Sequence, residues 1–395
     1  MKIRVFNTFR ADPVFFTIIL VTVLINTGTG IISPIIAGLL KQYGYSSFVA
    51  SFPFLSLVIG RILSKAVSGK VIKFIKHKNT VIYFSIIYLI VFIGYMYFDS
   101  VVHITILRFL EGIVEGIMGI VLLDYIIEYS GSKKGEKLGL FGSAIGLGFI
   151  IGPLLGGVVS TYLGIKWTFL IGAIFGGLAA LMALIYLPVF ELKKQPNRKK
   201  AKAISFYSVV VNYSALYAPI YLRRVLFFSF MMILPFYLID NFKLQLGGSS
   251  IFFMVSAIIT TIGMGMTGRF ADKYNPVKIT IISLFAISIS IFLFAFANSI
   301  LAFWVFFLLE VVAFTFMVPA SMKIFTQKID SHPSRQEILG ILGSMTEILT
   351  LILSFLLPFI YSVSYNYVWV FISLISLGAA FFLLLGVSQQ STTHR

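Results

Sequence analysis

Long apolar segments separated by short polar ones dominate the chain. A helix needs roughly 20 apolar residues to cross the hydrocarbon core of a bilayer, and twelve segments reach about that length. Their approximate bounds are 14–37, 47–68, 80–98, 103–123, 138–160, 167–187, 220–239, 250–270, 277–297, 300–321, 338–361 and 367–387. The pattern predicts an all-α membrane protein with twelve transmembrane helices. Asp12 as N-cap and Pro13 in the first turn are expected to open the first one.

A basic, proline-containing segment, 191–205, divides the predicted spans into two sets of six. The tyrosine-rich stretch after it, 206–219, contains Asn212 and Pro219, and we interpret it as an interfacial segment. The predicted parts are an N-terminal six-helix bundle, a cytoplasmic linker with the interfacial segment, and a C-terminal six-helix bundle, over 1–190, 191–219 and 220–395.

The two halves resemble repeats of one another. Gly69 after the second span and Gly268 after the eighth each begin a basic loop, and these two glycines are 199 residues apart. The same spacing separates Glu111 in the fourth span from Glu310 in the tenth. Two six-helix pseudo-repeats are typical of transporters whose substrate site lies near the bilayer midplane between the repeats.

The basic residues are distributed very unevenly between the two sides of the predicted membrane. Of the 31 lysines and arginines, 25 fall on the side that holds both termini. Three lie on the other side, at Lys41, Lys166 and Lys243, and three lie within spans. By the positive-inside rule both termini are cytoplasmic. The net charge of +17 therefore indicates topology and contact with anionic lipid, and it does not indicate nucleic-acid binding.

Composition excludes several classes of protein. Only 11% of the residues are charged, against about 25% in a typical soluble domain. The chain has no cysteine, and its four histidines show no metal-ligand spacing, so neither a metal nor another cofactor is expected. A phosphate-binding loop and an HExxH motif are both missing from the sequence. We expect neither an ATP-driven pump nor an enzyme.

Three motifs carry a resemblance to the major facilitator superfamily, and within it to the drug:proton antiporters. The loop after the eighth span resembles the superfamily's cytoplasmic gating motif, with Gly268, Arg269, Asp272 and Lys273 at its defined positions. At the corresponding place in the first half, Lys73 stands where an aspartate is expected. The fourth span contains Arg108 and Gly112 in the spacing of the superfamily motif whose arginine is implicated in proton coupling.

The third motif is the most specific. Residues 148–157 match the antiporter motif of the fifth span at each defined position, namely Gly148, Gly152, Pro153, Gly156 and Gly157. Glycines at i, i+4 and i+8 form one smooth helix face, which permits close packing in lipid, and an internal proline can bend the helix. The resemblance implies the major facilitator fold and export of small molecules.

The gating motif leads to two further predictions. The resemblance implies that Asp272 lies near Lys137 and Leu138, at the start of the fifth span, in the outward-facing state. In the other half, Lys73 is expected to pair with Glu337, because a lysine would repel a helix N-terminus.

Charged residues within the spans are candidates for the transport site, because each costs roughly 2.5–3.5 kcal/mol at the bilayer centre. They are Arg61, Lys65, Arg108, Glu111, Glu115, Glu310 and Glu347. Arg108, Glu111 and Glu115 share one face of the fourth span. Four acids face three bases, so some acids are expected to act in proton coupling or in the substrate cavity, although structural ion pairing is the alternative for each one.

These observations favour a secondary active transporter for small lipophilic or cationic compounds that exports its substrate in exchange for protons. The alternative is proton-coupled uptake or export of a metabolite or organic anion, held by Arg61 and Arg108. A membrane-embedded enzyme and a channel are rival classes that the sequence disfavours. We expect a monomer in the plasma membrane whose partners are its substrate, protons and lipid.

Overall fold

The computed structural model describes residues 12–129, 134–189, 205–244, 248–329 and 335–392. Within these residues the chain forms twelve α-helices and a short 3-10 helix, Val49–Ser51. The first six helices are α1 Pro13–Gln42, α2 Phe52–Ile75, α3 His77–Tyr97, α4 Val101–Tyr129, α5 Lys134–Tyr162 and α6 Ile165–Tyr186. The other six are α7 Phe206–Phe242, α8 Gly248–Lys273, α9 Pro276–Phe294, α10 Ile300–Ile329, α11 Arg335–Val363 and α12 Tyr365–Thr392. Each predicted apolar segment corresponds to one of these helices.

Ten of the helices in the described part of the chain are long and apolar enough to cross a membrane. Helix α8 is an eleventh if its segments Gly248–Met264 and Met266–Lys273, bent by 44°, form one span. Helix α4 has 29 residues but carries one arginine and four acids, Arg108, Glu111, Glu115, Asp124 and Glu128. The fold is all-helical as predicted, and the count of twelve spans stays a prediction because α4 is too charged to be assigned by hydropathy.

The start of α7 differs from the sequence prediction. The helix begins at Phe206, so 206–219 is continuous with the span predicted from 220 and is not a separate segment. Asn212 does not interrupt the helix because its amide nitrogen donates to Ser208 Oγ at 3.2 Å, within the same helix. Pro219 is buried and lies inside the helix. The predicted linker, 191–205, lies outside the described residues except for Ser205.

Helix α1 begins as its sequence predicts. Asp12 is the N-cap, its Oδ1 accepts a hydrogen bond from Phe15 N at 3.0 Å, and Pro13 occupies the first turn. Helix α9 begins in the same way, with Asn275 Oδ1 accepting from Val277 N at 2.9 Å. Each cap satisfies backbone N–H groups that have no partner within the helix.

The described residues form two compact units. The first contains 12–189 with Leu244 and 248–254, and the second contains 205–243 and 255–392. In the first unit α1 packs on α5 and α6, and α3 packs on α4 and α6. In the second unit α7 packs on α11 and α12, and α9 packs on α10 and α12. The same helix pairs therefore recur in both units, as two six-helix repeats require.

Candidate functional site

A fully buried ion pair lies within α4. Arg108 Nη1 is 3.1 Å from Glu111 Oε2, and both side chains have no exposed surface. Tyr95 on α3 donates its hydroxyl hydrogen to the same oxygen at 2.8 Å. Glu111 is ten residues from the start of α4, about 15 Å along the helix. Because a buried charge requires a partner and hydrogen bonds, Arg108 and Tyr95 explain how a carboxylate is held here.

A second ion pair joins α2 to α4. Arg61 Nη2 lies 3.0 Å from Glu115 Oε2, and the two side chains are 12% and 16% exposed. The two helices approach closely because Gly112 has no side chain and lies against the backbone at Leu57. Arg61, Arg108, Glu111 and Glu115 are thus brought together in the first unit as two adjacent pairs.

A small cavity of about 140 Å³ lies in the first unit, near the C-terminal end of α3. Its lining includes Tyr43, Tyr95, Asp99, Lys166 and Phe169. Tyr95 therefore contacts this cavity and also donates to Glu111. Tyr95 is thus the residue that the cavity lining and the buried ion pair have in common.

The second unit contains an ion pair that the sequence did not predict. Arg224 Nη2 on α7 lies 3.7 Å from Glu347 Oε2 on α11, and the Arg224 guanidinium lies 4.6 Å from the centre of the Phe228 ring. Arg224 lies close to the predicted start of its span at 220, so the sequence pattern places it among the 25 basic residues on the cytoplasmic side. Since α7 extends back to Phe206, Arg224 is well inside the helix. The Arg224–Glu347 pair could not be predicted because the sequence did not show that the helix begins at Phe206.

Glu310 on α10 is only 2% exposed, and it forms no hydrogen bond or ion pair with any residue that the structure describes. Its neighbours along the buried face of the helix are Phe303 and Phe307. Three of the four predicted acids, Glu111, Glu115 and Glu347, therefore have an arginine partner, whereas Glu310 has none among the described residues.

The glycines of the antiporter motif face α1. A methyl group added to Gly148, Gly152 or Gly156 would lie 2.6 Å from the nearest atom of α1. Pro153 packs against Gly30, where an added methyl would lie 3.2 Å from the proline ring, and Gly157 is buried. The motif therefore forms the contact surface between α5 and α1, as close helix packing requires.

The gating motif lies at the C-terminal end of α8. Asp272 Oδ1 is 2.9 Å from Lys323 Nζ on α10, and the same ammonium group donates to Ala271 O at 3.0 Å. Arg269 and Lys273 are exposed, and a methyl group added to Gly268 would lie 4.0 Å from Pro319 Cβ. The sequence did not indicate Lys323 as the partner of Asp272.

The two predicted gating pairs stay predictions. Lys137 is bound within the first unit, where its Nζ lies 2.8 Å from Asp12 Oδ2. The side chain of Glu337, the expected partner of Lys73, lies outside the described residues. Over the described part of the chain, no three His, Cys, Asp or Glu side chains are grouped as a metal site would require.

The repeated bundles of long apolar helices, with charges buried in pairs, define a multi-pass membrane protein. The sequence profile described as Major Facilitator Superfamily matches residues 18–336. The chain belongs to this superfamily. The more specific assignment to the drug:proton antiporters rests on the motifs alone.

Two curated relatives are similar over part of their length. An uncharacterized MFS-type transporter of Methanocaldococcus jannaschii is 28% identical over 191 residues, which are 48% of this chain and 50% of that protein. An uncharacterized MFS-type transporter of Bacillus subtilis, YuxJ, is 27% identical over 165 residues, 41% of this chain and 42% of that one. The alignments thus span half or less of these relatives.

Solved structures share the fold. A mutant of the nucleoside transporter NupG superposes with a TM-score of 0.76 at 15% identity, covering 94% of this chain and 99% of that one. The D-xylose-proton symporter superposes with a TM-score of 0.75 at 15% identity, covering 94% and 96%. At this identity the likeness shows the fold alone. The named relatives and neighbours are transporters, not enzymes.

Proposed function

We propose that the protein is a secondary active transporter that exports small lipophilic or cationic compounds in exchange for protons. The observation that carries this proposal is the charge balance of the buried acids. Glu111, Glu115 and Glu347 are each offset by an arginine, and Glu310 adds one acid without an offsetting base among the described residues. Once ionised, Glu310 has no base in contact to offset its charge, and either a proton or a cationic substrate can neutralise it.

The antiporter motif supports the exporter assignment. The glycines that match the motif are those through which α5 contacts α1. Replacing Gly148, Gly152 or Gly156 by alanine would add a methyl group that pushes the two helices apart. The chain belongs to the major facilitator superfamily, and one of its structural neighbours is a proton symporter. Both facts support proton coupling. We further propose that both termini lie in the cytoplasm, which the unequal distribution of lysine and arginine supports. We also propose that the protein acts as a monomer in the plasma membrane.

One specific observation favours a second candidate, transport of an organic anion or a metabolite. Nε and Nη2 of Arg108 are buried and have no hydrogen-bond partner among the described residues. A guanidinium can donate to two oxygen atoms of a carboxylate at once. Arg108 could therefore bind an anionic substrate while its Nη1 stays on Glu111.

The test is transport by the purified protein in liposomes that contain a pH-sensitive dye. A pH gradient is imposed, and a panel of lipophilic cations, nucleosides, sugars and organic acids is added in turn. We expect the addition of lipophilic cations to make protons leave the proton-rich compartment faster than they do in protein-free liposomes. Proton movement with organic acids alone would favour the second candidate, and transport of any substrate without a response to the pH gradient would contradict proton coupling.

Gly146→Ala is the matched control for such measurements. Gly146 lies on the side of α5 that faces away from the motif glycines, and among the described residues no atom outside the backbone of its own helix lies within 4 Å of the position its methyl would take. This variant is expected to transport like the wild type. It separates effects of handling or reconstitution from effects of the charged residues.

A further inference from the structure

The two halves place a carboxylate at the same position of matched helices. Helix α3 begins at His77, and its counterpart α9 begins 199 residues later at Pro276. Helix α4 begins at Val101, and its counterpart α10 begins 199 residues later at Ile300. Glu111 and Glu310 are separated by the same 199 residues. Each lies ten residues from the start of its helix and is buried, so the two carboxylates are structural counterparts.

The surroundings of the two carboxylates are not equivalent. In the first half the partners of Glu111 are Arg108 and Tyr95. The positions 199 residues later are Phe307 and Phe294, so neither can donate a hydrogen bond or offset a charge.

The aromatic packing around these positions is conserved between the halves although the polar groups are not. The Tyr95 ring lies 5.6 Å from Phe169 on α6, and the Phe294 ring lies 5.3 Å from Trp369 on α12. Phe230 on α7 completes the aromatic cluster, with ring centroids 6.1 Å from Phe307 and from Trp369. The second half therefore keeps the carboxylate and surrounds its helix face with hydrocarbon.

We propose that Glu310 is the carboxylate that binds and releases the transported proton, and that Glu111 and Glu115 remain ionised in their arginine pairs throughout the cycle. The proposal rests on the proposed proton-coupled function. An isolated carboxylate in an apolar interior is strongly disfavoured when charged, so it is neutral there. A carboxylate paired with arginine keeps its charge, because removing either partner leaves an uncompensated buried charge.

Among the described residues of α7 to α10, no titratable group forms an ion pair or hydrogen bond with Glu310. Tyr237 on α7 contacts Trp369 of the aromatic cluster, and its hydroxyl donates to Phe294 O at 2.7 Å. The charged residues of α7 to α10 are Arg223, Arg224, Asp240, Arg269, Asp272, Lys273, Lys278, Lys323 and Lys328. Among the described contacts none of these is with Glu310. Glu310 is therefore neutral while it stays buried and can ionise once water reaches it.

The proton step needs no other reactant than water. When Glu310 becomes hydrated on one side of the membrane, its O–H bond breaks, the proton passes to water and the carboxylate remains. A proton from water on the other side re-forms the O–H bond before the side chain is buried again. A cationic substrate can neutralise the carboxylate in place of the proton, which couples the two fluxes.

The inference can be tested without any substrate by infrared difference spectroscopy of the purified protein between pH steps. A protonated carboxyl group has a C=O stretching band that disappears when the group ionises. We expect the wild type to show one such band from a buried group, Glu310→Gln to lack it, and Glu111→Gln to keep it. A band that survives in Glu310→Gln, or no band in the wild type, would overturn the proposal.

Glu111→Gln leaves Arg108 buried without its carboxylate, so Arg108→Gln combined with Glu111→Gln is the second control, in which both charges are removed together. It too is expected to keep the band. Glu310→Gln replaces a neutral group by a neutral one of the same shape, so its folding is expected to match the wild type.

Transport separates this inference from the proposed function. We expect Glu310→Gln to lose substrate-driven proton movement to the level of protein-free liposomes while it still exchanges labelled for unlabelled substrate. If the wild type moves no protons with any substrate, the proposed function fails. If the wild type moves protons and Glu310→Gln moves them equally, only the assignment of Glu310 fails.

Discussion

Lys137 Nζ lies 2.8 Å from Asp12 Oδ2 and also donates to Tyr129 O at 2.6 Å. Asp12 is at the same time the N-cap of α1, with Oδ1 accepting from Phe15 N. One carboxylate thus closes the first turn of α1 and binds a lysine in the first turn of α5. The end of α4 is joined to the same lysine, so three helices of the first unit meet at this pair.

The pair predicts a graded response to substitution of Asp12. Asparagine caps a helix as well as aspartate does, so Asp12→Asn loses only the ion pair and is expected to cost under about 1 kcal/mol. Asp12→Ala also loses the cap and is expected to cost about 1–2 kcal/mol more. Apparent melting temperatures in detergent measure the difference. Equal melting temperatures for the two variants would contradict the capping role of Asp12.

The same residue predicts a pH dependence of stability. Burial raises the pKa of Asp12, but the hydrogen bonds from Lys137 and from the backbone outweigh it, so the pKa lies below its ordinary value. Because the folded-state pKa is the lower one, the stabilisation is complete above the unfolded-state pKa and is lost as pH falls through the folded value. The melting temperature of the wild type should fall toward that of Asp12→Asn on acidification below about pH 4. A constant difference between the two would exclude this linkage.

Close packing of α5 on α1 predicts a sharp difference between two glycines of one helix. A methyl group at Gly152 would lie 2.6 Å from Thr27 O, whereas one at Gly146 would meet no atom of the described residues within 4 Å outside the backbone of its own helix. Overpacking of this kind typically costs about 1–3 kcal/mol, so Gly152→Ala should melt earlier and transport more slowly. Gly146→Ala should match the wild type in both measurements. Equal behaviour of the two variants would contradict this contact surface.

The fold could be predicted from the sequence because the apolar segments and the basic loops give independent and consistent signals. The N-cap at Asp12 and the helical packing role of Gly152 follow from local rules that need no tertiary information. The start of α7 was missed because Asn212 and Pro219 suggested a break, although Asn212 is satisfied by Ser208 within the helix.

The ion pairs of the candidate site were only partly predictable. Arg108 and Glu111 are one helical turn apart, so their pairing follows from the i,i+3 spacing. The partners of Glu115, Glu347 and Asp272 come from other helices, and which charge approaches which depends on tertiary packing. Tertiary packing also determines that Glu310 has no partner among the described residues, since this depends on the side chains of all the surrounding helices.

The ion pair between Arg61 and Glu115 predicts a strong coupling energy. The pair is largely buried, so Glu115→Gln or Arg61→Gln alone leaves an uncompensated charge, and each is expected to cost about 2–4 kcal/mol. The double variant removes both charges and should recover most of that loss. A double-mutant cycle of melting or denaturant stability measures the coupling. Additive losses would show that the two side chains do not depend on each other.

The contrast between the two halves predicts what happens when the polar partner of the first half is installed in the second. Phe307→Arg places a guanidinium three residues before Glu310, the spacing that joins Arg108 to Glu111. An arginine there stabilises the ionised carboxylate, so Glu310 should no longer take up a proton, and substrate-driven proton movement should fall to the level of protein-free liposomes. Phe307→Leu is the matched control, because it keeps the position apolar, and it should retain coupling. Both variants are compared at equal amounts of protein that elutes as a single species and melts cooperatively. If the folded Phe307→Arg protein still couples protons like the wild type, proton transport does not require Glu310 to be without an arginine partner.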